Sequence, residues 1–166
     1  MPCLSSLFAA MLLAFAGSVA AAAPSEPLVP KEAREAAEAM VARFVASWNQ
    51  ADGAAYGMNY WPDAELVDPS GVISRGQAAI VQEHIDLWAG IFKGSRITGK
   101  VRRIRMLGPT CMMVDFDAEL TGVRQLPPGS PVDAAGVLRN HLKHIMEYRQ
   151  GAWKVVAAQN TFIARP

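Results

Sequence analysis

Residues 96–123 read RITGKVRRIRMLGPTCMMVDFDAELTGV, and this stretch decides the fold. Apolar and polar residues alternate along both of its halves, which is typical of strands with one buried face. Gly108 and Pro109 separate the halves and are typical of a tight turn. Two more alternating segments follow at residues 137–149 and 153–163. The pattern predicts a meander of four long antiparallel strands.

The first half of the chain has helical spacing instead. Apolar residues recur every three or four positions over residues 33–48, which predicts an amphipathic helix. Asp52 is placed to cap a second, short helix over residues 54–60. Residues 74–77, Ser-Arg-Gly-Gln, have the spacing of a capping box and predict a third helix that runs to Phe92.

A short strand is predicted at residues 64–68, and residues 72–74 can return beside it as a hairpin. Residues 124–136 are rich in Pro and Gly and predict a long hairpin loop between two of the later strands. Helices therefore precede a run of antiparallel strands. This order predicts an α+β fold in which helices pack on one face of a sheet.

Composition limits the class of protein. The chain has 166 residues, of which 51% are hydrophobic, enough for one folded domain with a core. Sixteen Lys and Arg oppose fifteen Asp and Glu, a net charge of +1, so we expect no nucleic-acid partner. Beyond the N-terminus no apolar run approaches the ~20 residues that span a bilayer, so we expect no membrane association after processing.

The N-terminus is interpreted as a secretory signal peptide, because it is mostly Leu, Ala, Phe, Met and Val and ends in small residues that suit cleavage. We expect a signal peptide at residues 1–22, a linker at residues 23–30 and one domain at residues 31–166. The mature protein would be exported, to the periplasm or the medium. Cys111 would be its only thiol, which excludes an intrachain disulfide.

Strand parity predicts which side chains face the interior. Phe116 lies on the apolar face of its strand. In the next strand Asn140, His144 and Tyr148 share the apolar face, so two polar groups are aimed inward and need partners.

The opposite parity predicts a charged outer face. Asp115 and Asp117 point outward, and Arg103 and Arg105 of the preceding strand can lie across from them. A basic patch that pairs with these carboxylates is not a nucleic-acid site.

Aromatic residues are concentrated on the helices and the turn expected to cover the interior: Trp48, Tyr56, Tyr60, Trp61 and Trp88. Aromatic walls suit a flat hydrophobic ligand, although the same spacing also serves core packing. His84 lies one helical turn from Trp88 and can either line a pocket mouth or fill the core.

The sequence predicts no metal site and no cofactor. His141 and His144 are three residues apart on a strand, so they face opposite sides and cannot share a metal. Cys and Asp are not clustered at ligand spacing. No Gly-rich phosphate-binding loop follows a strand.

Several segments resemble one superfamily. Residues 61–71 (WPDAELVDPSG) and 75–80 (RGQAAI) resemble the SnoaL-like, ketosteroid isomerase and nuclear transport factor 2 superfamily. Residues 94–97 (GSRI), 101–107 (VRRIRML) and 153–161 (WKVVAAQNT) are most similar to its SgcJ/EcaC group. The resemblance covers the whole predicted domain.

The resemblance implies a curved antiparallel sheet that forms a cone-shaped barrel, with N-terminal helices over an apolar pocket, and a homodimer through the outer sheet face. Asp68, in the turn Asp-Pro-Ser-Gly, matches the general base of ketosteroid isomerases. His144 aligns with their protonated acidic donor, and Asn160 aligns with their pocket Trp. Phe44 replaces their oxyanion-hole Tyr and cannot donate, which argues against steroid isomerisation.

Three functional hypotheses follow. The first is a protein that binds a small apolar or aromatic molecule and transforms it by cofactor-free isomerisation, cyclisation or hydration, with Asp68 as base and His144 as donor. The second is a carrier or sequestering protein in which these two residues are a passive polar pair. The third is a protein-interaction domain that uses the outer sheet face. The predicted ligand-binding residues are Trp48, Tyr56, Tyr60, Trp61, His84, Trp88, Phe116, Asn140 and Asn160.

Oxidoreductase activity is often attributed to the SgcJ/EcaC group. None of the candidate residues of this sequence supplies a redox centre for it.

Overall fold

The computed structural model describes residues 29–123, 126 and 130–163. The predicted signal peptide and most of the predicted linker lie outside these residues, as does part of the predicted loop after residue 123. Of the helices in the described part of the chain, none is both long and apolar enough to cross a membrane.

Three helices come first: α1 (Lys31–Gln50), α2 (Gly53–Gly57) and α3 (Gln77–Ala89). The apolar stripe of α1 is buried, as its spacing predicts. Asp52 caps α2 as expected, because its carboxylate accepts a hydrogen bond from the Ala55 backbone N–H at 3.0 Å. The α2 helix ends three residues earlier than predicted, since Tyr60 already belongs to the sheet.

Six strands form one sheet: β1 (Tyr60–Val67), β2 (Ile73–Arg75), β3 (Arg96–Gly108), β4 (Cys111–Thr121), β5 (Leu138–Arg149) and β6 (Ala152–Phe162). Their order across the sheet is β2-β1-β6-β5-β4-β3, so the sheet is open at β2 and β3. The predicted α+β class, with N-terminal helices and a curved sheet, is confirmed. The sheet is mixed rather than fully antiparallel, because β1 pairs with β6 in parallel.

The β1 strand begins four residues before its predicted start and runs through Pro62. Proline has no backbone N–H and cannot complete a regular ladder. The pairing of β1 with β6 accordingly shifts register between Tyr60 and Glu65. The strand therefore continues on both sides of Pro62.

The predicted capping box of α3 is wrong. Ser74 lies in β2. The N-cap of α3 is Gly76, which has no side chain with which to cap the helix. The Ser74 hydroxyl donates instead to Oε2 of Glu83 at 2.5 Å and ties β2 to the middle of α3. The helix ends at Ala89 rather than Phe92, because Gly90 leaves the helical backbone conformation.

The long strands follow the predicted parity. Phe116 is completely buried, and Asn140 and His144 face the interior at 7% and 1% exposure. Tyr148 is the exception on the same face, at 45% exposure, because it lies near the end of β5, where its ring contacts that of Trp153 on the adjacent strand. Parity thus decides the face of each side chain but not how far the core extends along a strand.

The outer face of the sheet is charged as predicted, but one of the two predicted Arg–Asp pairings is different. Arg103 lies opposite Asp115 as predicted. Antiparallel partners run in opposite directions, so Arg105 lies opposite Met113 rather than opposite Asp117. The Asp117 carboxylate accepts hydrogen bonds from Arg102 at 2.6 Å and from Nδ1 of His141 at 2.8 Å.

Gly99 allows α1 to approach the sheet closely. A Cβ atom at Gly99 would lie 3.0 Å from Cγ2 of Val45 and 3.2 Å from Cγ1 of Val41, which is tighter than side-chain packing normally allows. Gly108, on the same strand, has no atom within 4 Å of such a Cβ. The absence of a side chain at Gly99 therefore sets the separation of α1 and β3.

We expect Gly99→Val to lower the free energy of unfolding by about 1–3 kcal/mol, the usual cost of overpacking a core. Gly108→Val is the matched control and should change it by less than about 0.5 kcal/mol. Urea unfolding of the two variants and the parent measures both values. Equal effects at the two positions would contradict the role of Gly99 in helix packing.

Candidate functional site

A largely apolar cavity of about 260 Å³ lies between the helices and the sheet. Ligand pockets commonly measure ~300–1,000 Å³, so this cavity suits a compact molecule. Its aromatic walls come from Phe44 and Trp48 of α1 and Tyr56 of α2. Its polar lining consists of Asp68, Ser70, Glu83, His84, Asn140 and Asn160. In the described part of the chain, neither Lys nor Arg lines it.

A chain of hydrogen bonds fixes one wall of the cavity. The hydroxyl of Tyr60 donates to the hydroxyl of Tyr56 at 3.1 Å. The Tyr56 hydroxyl lies 2.7 Å from Nε2 of His84, and Nδ1 of His84 lies 2.8 Å from the backbone carbonyl oxygen of Ile80. Tyr56 also stacks on the imidazole, with ring centroids 4.1 Å apart. The elements α2, β1 and α3 are thereby joined through polar side chains inside the core.

The direction of this chain follows from the Ile80 carbonyl. A carbonyl can only accept, so Nδ1 of His84 carries the proton. Burial lowers the pKa of His84 from 6.5 to about 4, so the imidazole is neutral near pH 7 and its Nε2 accepts from Tyr56. Burial also raises the pKa of Tyr56 and of Tyr60, so both remain protonated phenols.

Asp68 lines the cavity from the β1–β2 turn. Its Oδ1 accepts hydrogen bonds from the backbone N–H groups of Ser70 and Val72, each at 2.8 Å, and the Ser70 hydroxyl donates to the same carboxylate. Such an Asx-type turn holds the carboxylate in one place and engages most of Oδ1. Asp68 therefore has a structural task in the turn besides its position at the cavity.

Glu83 is a second carboxylate at the cavity, and it is not among the residues predicted from the sequence. It is half-buried on α3 beside His84 and accepts a hydrogen bond from Ser74. Burial raises the pKa of Glu83, and the nearby negative charge of Asp68 adds to this effect, while the Ser74 hydrogen bond opposes it. The only sequence signal is that Glu83 lies three residues after the buried Ile80, at the edge of the apolar stripe of α3.

His144 lies in the core and not at the cavity. Its ring is packed edge-on against Phe44 and Phe116, and its Nδ1 lies 3.4 Å from the sulfur of Met40. Its Nε2 has no hydrogen-bond partner among the described residues. Burial lowers the pKa of His144 to about 3, so this imidazole is neutral. No hydrogen bond or ion pair in the described part of the chain joins it to Asp68, so the two predicted catalytic residues are not brought together.

The remaining predicted residues divide into two groups. Trp48 lines the cavity, as do Asn140 and Asn160, which are joined by a hydrogen bond of 2.7 Å from Nδ2 of Asn140 to Oδ1 of Asn160. Others pack away from the cavity lining: Tyr60, Trp61, Trp88 and Phe116. Trp61 has a structural role, because its indole N–H donates to the carbonyl of Glu147 at 3.1 Å and two cations lie over its ring.

Metal ligands are not grouped in the described residues, where no three His, Cys, Asp or Glu side chains are placed to hold an ion together. The polar groups at the cavity can form hydrogen bonds and exchange protons. Acid–base chemistry is therefore within the reach of the residues that line it.

Comparison with known proteins identifies the fold. No protein-family model matches the sequence, and the search of curated proteins gave no match. A domain of unknown function with a cystatin-like fold from Nostoc punctiforme PCC 73102 superposes with a TM-score of 0.70 at 15% identity, covering 82% of this chain and 81% of that chain. A ketosteroid isomerase-like protein from Erwinia carotovora atroseptica SCRI1043 gives a TM-score of 0.63 at 14% identity, covering 81% and 99%.

A hexachlorocyclohexane dehydrochlorinase, LinA-type3 from Novosphingobium barchaimii LL02, gives a TM-score of 0.66 at 12% identity, covering 79% of this chain and 86% of that chain. The fold is therefore that of the ketosteroid isomerase-like and NTF-2-like proteins, which confirms the predicted superfamily fold. Identities this low establish the fold alone. Similarity to the SgcJ/EcaC group stays a prediction.

The burial of His84 and His144 makes the free energy of unfolding depend on pH. Both have a lower pKa in the folded chain, about 4 for His84 and about 3 for His144, than the 6.5 of a free imidazole. Below pH 6.5 the unfolded chain therefore binds more protons, so the free energy of unfolding is greatest above pH 6.5 and falls as the pH decreases towards 4. Each histidine contributes about 1.4 kcal/mol per pH unit in this range.

Urea unfolding at several pH values between 6.5 and 5 measures this slope. His144→Leu removes one of the two groups while filling similar space, so we expect roughly half the slope of the parent. A free energy of unfolding that stays constant over this range would contradict the burial of neutral histidines.

Proposed function

We propose that this protein binds a small, mainly apolar molecule in the cavity between its helices and sheet. The observation that carries the proposal is the cavity itself, about 260 Å³ in volume with aromatic walls and a small set of fixed polar groups. Apolar walls supply affinity by burying ligand surface, and a few oriented polar groups supply specificity. Asp68 and Glu83 place two carboxylates at the edge of this apolar space, where they can contact a bound molecule.

The polar groups that would orient a ligand are held before it arrives. His84 and Tyr56 are locked by the hydrogen-bond chain, and Asn140 and Asn160 are paired with each other. Groups fixed in this way lose little conformational entropy on binding. The solved structures of this fold named as a dehydrochlorinase and as ketosteroid isomerase-like support a role in handling small molecules.

Binding can be tested with N-phenyl-1-naphthylamine, an uncharged fluorophore that becomes bright in apolar sites. We expect a saturable fluorescence increase with one site per chain. Ala118 lines the cavity. Ala118→Leu should abolish most of the fluorescence increase, because the larger side chain fills the space. Ala157→Leu, at an exposed position on β6, is the control and should bind as the parent does. Absence of saturable binding by the parent would overturn the proposal.

A second candidate function is cofactor-free proton transfer, and the carboxylate of Glu83 favours it. A general base works best when its pKa is raised towards the working pH, and burial together with Asp68 raises the pKa of Glu83. Glu83, rather than the predicted Asp68, then has the role of base, since Oδ1 of Asp68 is engaged in its turn. His144 has no role in this step, because it does not line the cavity.

The ring opening of 5-nitrobenzisoxazole tests this candidate, because a carboxylate removes its C–H proton while the N–O bond breaks. We expect the rate to rise with pH through a midpoint above 4.5, the ordinary pKa of Glu. Glu83→Gln should lower the rate by roughly 100-fold or more. Asp68→Asn should retain most of the rate and move the midpoint towards lower pH, since it removes the charge that raises the pKa of Glu83.

Glu38→Gln, on the exposed side of α1, is the control and should leave the rate unchanged. Loss of activity in Asp68→Asn together with full activity in Glu83→Gln would return the role of base to Asp68. A parent rate equal to that of acetate at the same concentration would remove the catalytic candidate and leave the binding function as a carrier or sequestering protein.

Export and homodimer formation remain part of the proposal. Export rests on the apolar N-terminal sequence, and the dimer rests on the resemblance to the superfamily. The protein-interaction alternative rests on the same outer sheet face, which is occupied by ion pairs such as Arg102 with Asp117 and Arg139 with Glu119.

A further inference from the structure

The hydrogen-bond donors at the cavity are already engaged. The Tyr56 hydroxyl donates a hydrogen bond to Nε2 of His84, and the single N–H of neutral His84 donates to the Ile80 carbonyl. The indole N–H of Trp48 donates to the hydroxyl of Ser95 at 3.1 Å. The Ser70 hydroxyl donates to Asp68. Among the described lining residues, the side-chain amides of Asn140 and Asn160 are the source of spare donors.

Acceptors at the cavity, in contrast, have capacity to spare. The Tyr56 oxygen accepts one hydrogen bond, from Tyr60, and a hydroxyl oxygen has two lone pairs. Glu83 accepts from Ser74 through Oε2, which leaves Oε1. Among the described residues, Oδ2 of Asp68 accepts one hydrogen bond, from the Ser70 hydroxyl at 2.9 Å.

The charge of the cavity lining also favours a ligand that donates hydrogen bonds. Two carboxylates, Asp68 and Glu83, line the cavity without a Lys or Arg among the described lining residues. Both carboxylates line the same cavity, and the negative charge of Asp68 contributes to the raised pKa of Glu83. A carboxylate or phosphate ligand would meet repulsion and few donors, whereas a cation would relieve the repulsion between the two carboxylates. Aromatic walls at Phe44, Trp48 and Tyr56 also favour a cation over an anion.

We propose that the ligand of this cavity is a hydrophobic amine, whose apolar body lies between the aromatic walls and whose ammonium group is held by Glu83 and Asp68. This inference rests on the proposed binding function and adds the chemical class of the ligand. The ammonium has three donors, which match the spare acceptors of the two carboxylates. Such charge-assisted hydrogen bonds are stronger than those of a neutral alcohol.

Displacement of bound N-phenyl-1-naphthylamine by three matched compounds tests the inference: 4-phenylbutylamine, 4-phenylbutan-1-ol and 4-phenylbutyrate. All three share the phenyl ring and the carbon chain, and at pH 7 their ends are positive, neutral and negative. We expect the amine to bind roughly ten-fold more tightly than the alcohol, the value of one charge-assisted hydrogen bond, and the carboxylate to bind most weakly.

Glu83→Gln keeps the shape of the side chain and removes its charge. It should weaken the amine roughly ten-fold and leave the alcohol within about two-fold of the parent. Glu38→Gln, exposed on α1, is the matched control and should change none of the three affinities.

The outcomes separate this inference from the function on which it rests. Saturable binding of the fluorophore with the alcohol or the carboxylate as the best competitor would overturn the amine assignment and leave the binding function intact. Equal weakening of the amine and the alcohol in Glu83→Gln would also overturn it, since the variant would then act through the shape of the cavity. Failure of the fluorophore to bind the parent would overturn both.

Discussion

The backbone carbonyl of Ile80 fixes the chemistry of the cavity, because it accepts the one N–H that a neutral His84 carries. That single contact assigns the imidazole tautomer, turns Nε2 into an acceptor and sets the direction in which Tyr60 and Tyr56 donate. Burial keeps the imidazole neutral, so the assignment holds near neutral pH. The wall of the cavity therefore accepts hydrogen bonds more readily than it donates them.

The same constraint links the site to the fold. Tyr56 belongs to α2, Tyr60 begins β1, and His84 lies on α3, so the hydrogen-bond chain joins α3 to two consecutive elements that precede it in the chain. Buried polar groups destabilise a core unless they are paired, and these three pair with one another and with the backbone. His144 shows the alternative, a buried imidazole with Nε2 unpaired among the described residues and with aromatic rings and a methionine around it. Its burial contributes to the pH dependence of stability and not to the lining of the cavity.

The sequence predicts the long strands and α1 well, because alternation and helical spacing extend over ten or more residues in each. It fails where one local signal competes with tertiary structure: Pro62 lies inside β1, and Ser74 bonds to Glu83 instead of capping α3. At the site, parity identifies inward faces but does not distinguish the core from a cavity, which is why His144 and Asn140 look alike in the sequence. No sequence pattern marks Glu83, since it reaches the cavity through the packing of α3 against α2, β1 and β2.

The tautomer and charge of His84 test the central claim most directly, and long-range ¹H–¹⁵N correlation spectroscopy at pH 7 reports both. The structure predicts a proton on Nδ1 and a nitrogen without a proton at Nε2. The ¹⁵N chemical shift of Nε2 should be that of a hydrogen-bond acceptor, and it should change in Tyr56→Phe. A proton on Nε2, or a doubly protonated ring at pH 7, would contradict the direction of the hydrogen-bond chain and the acceptor character assigned to the cavity.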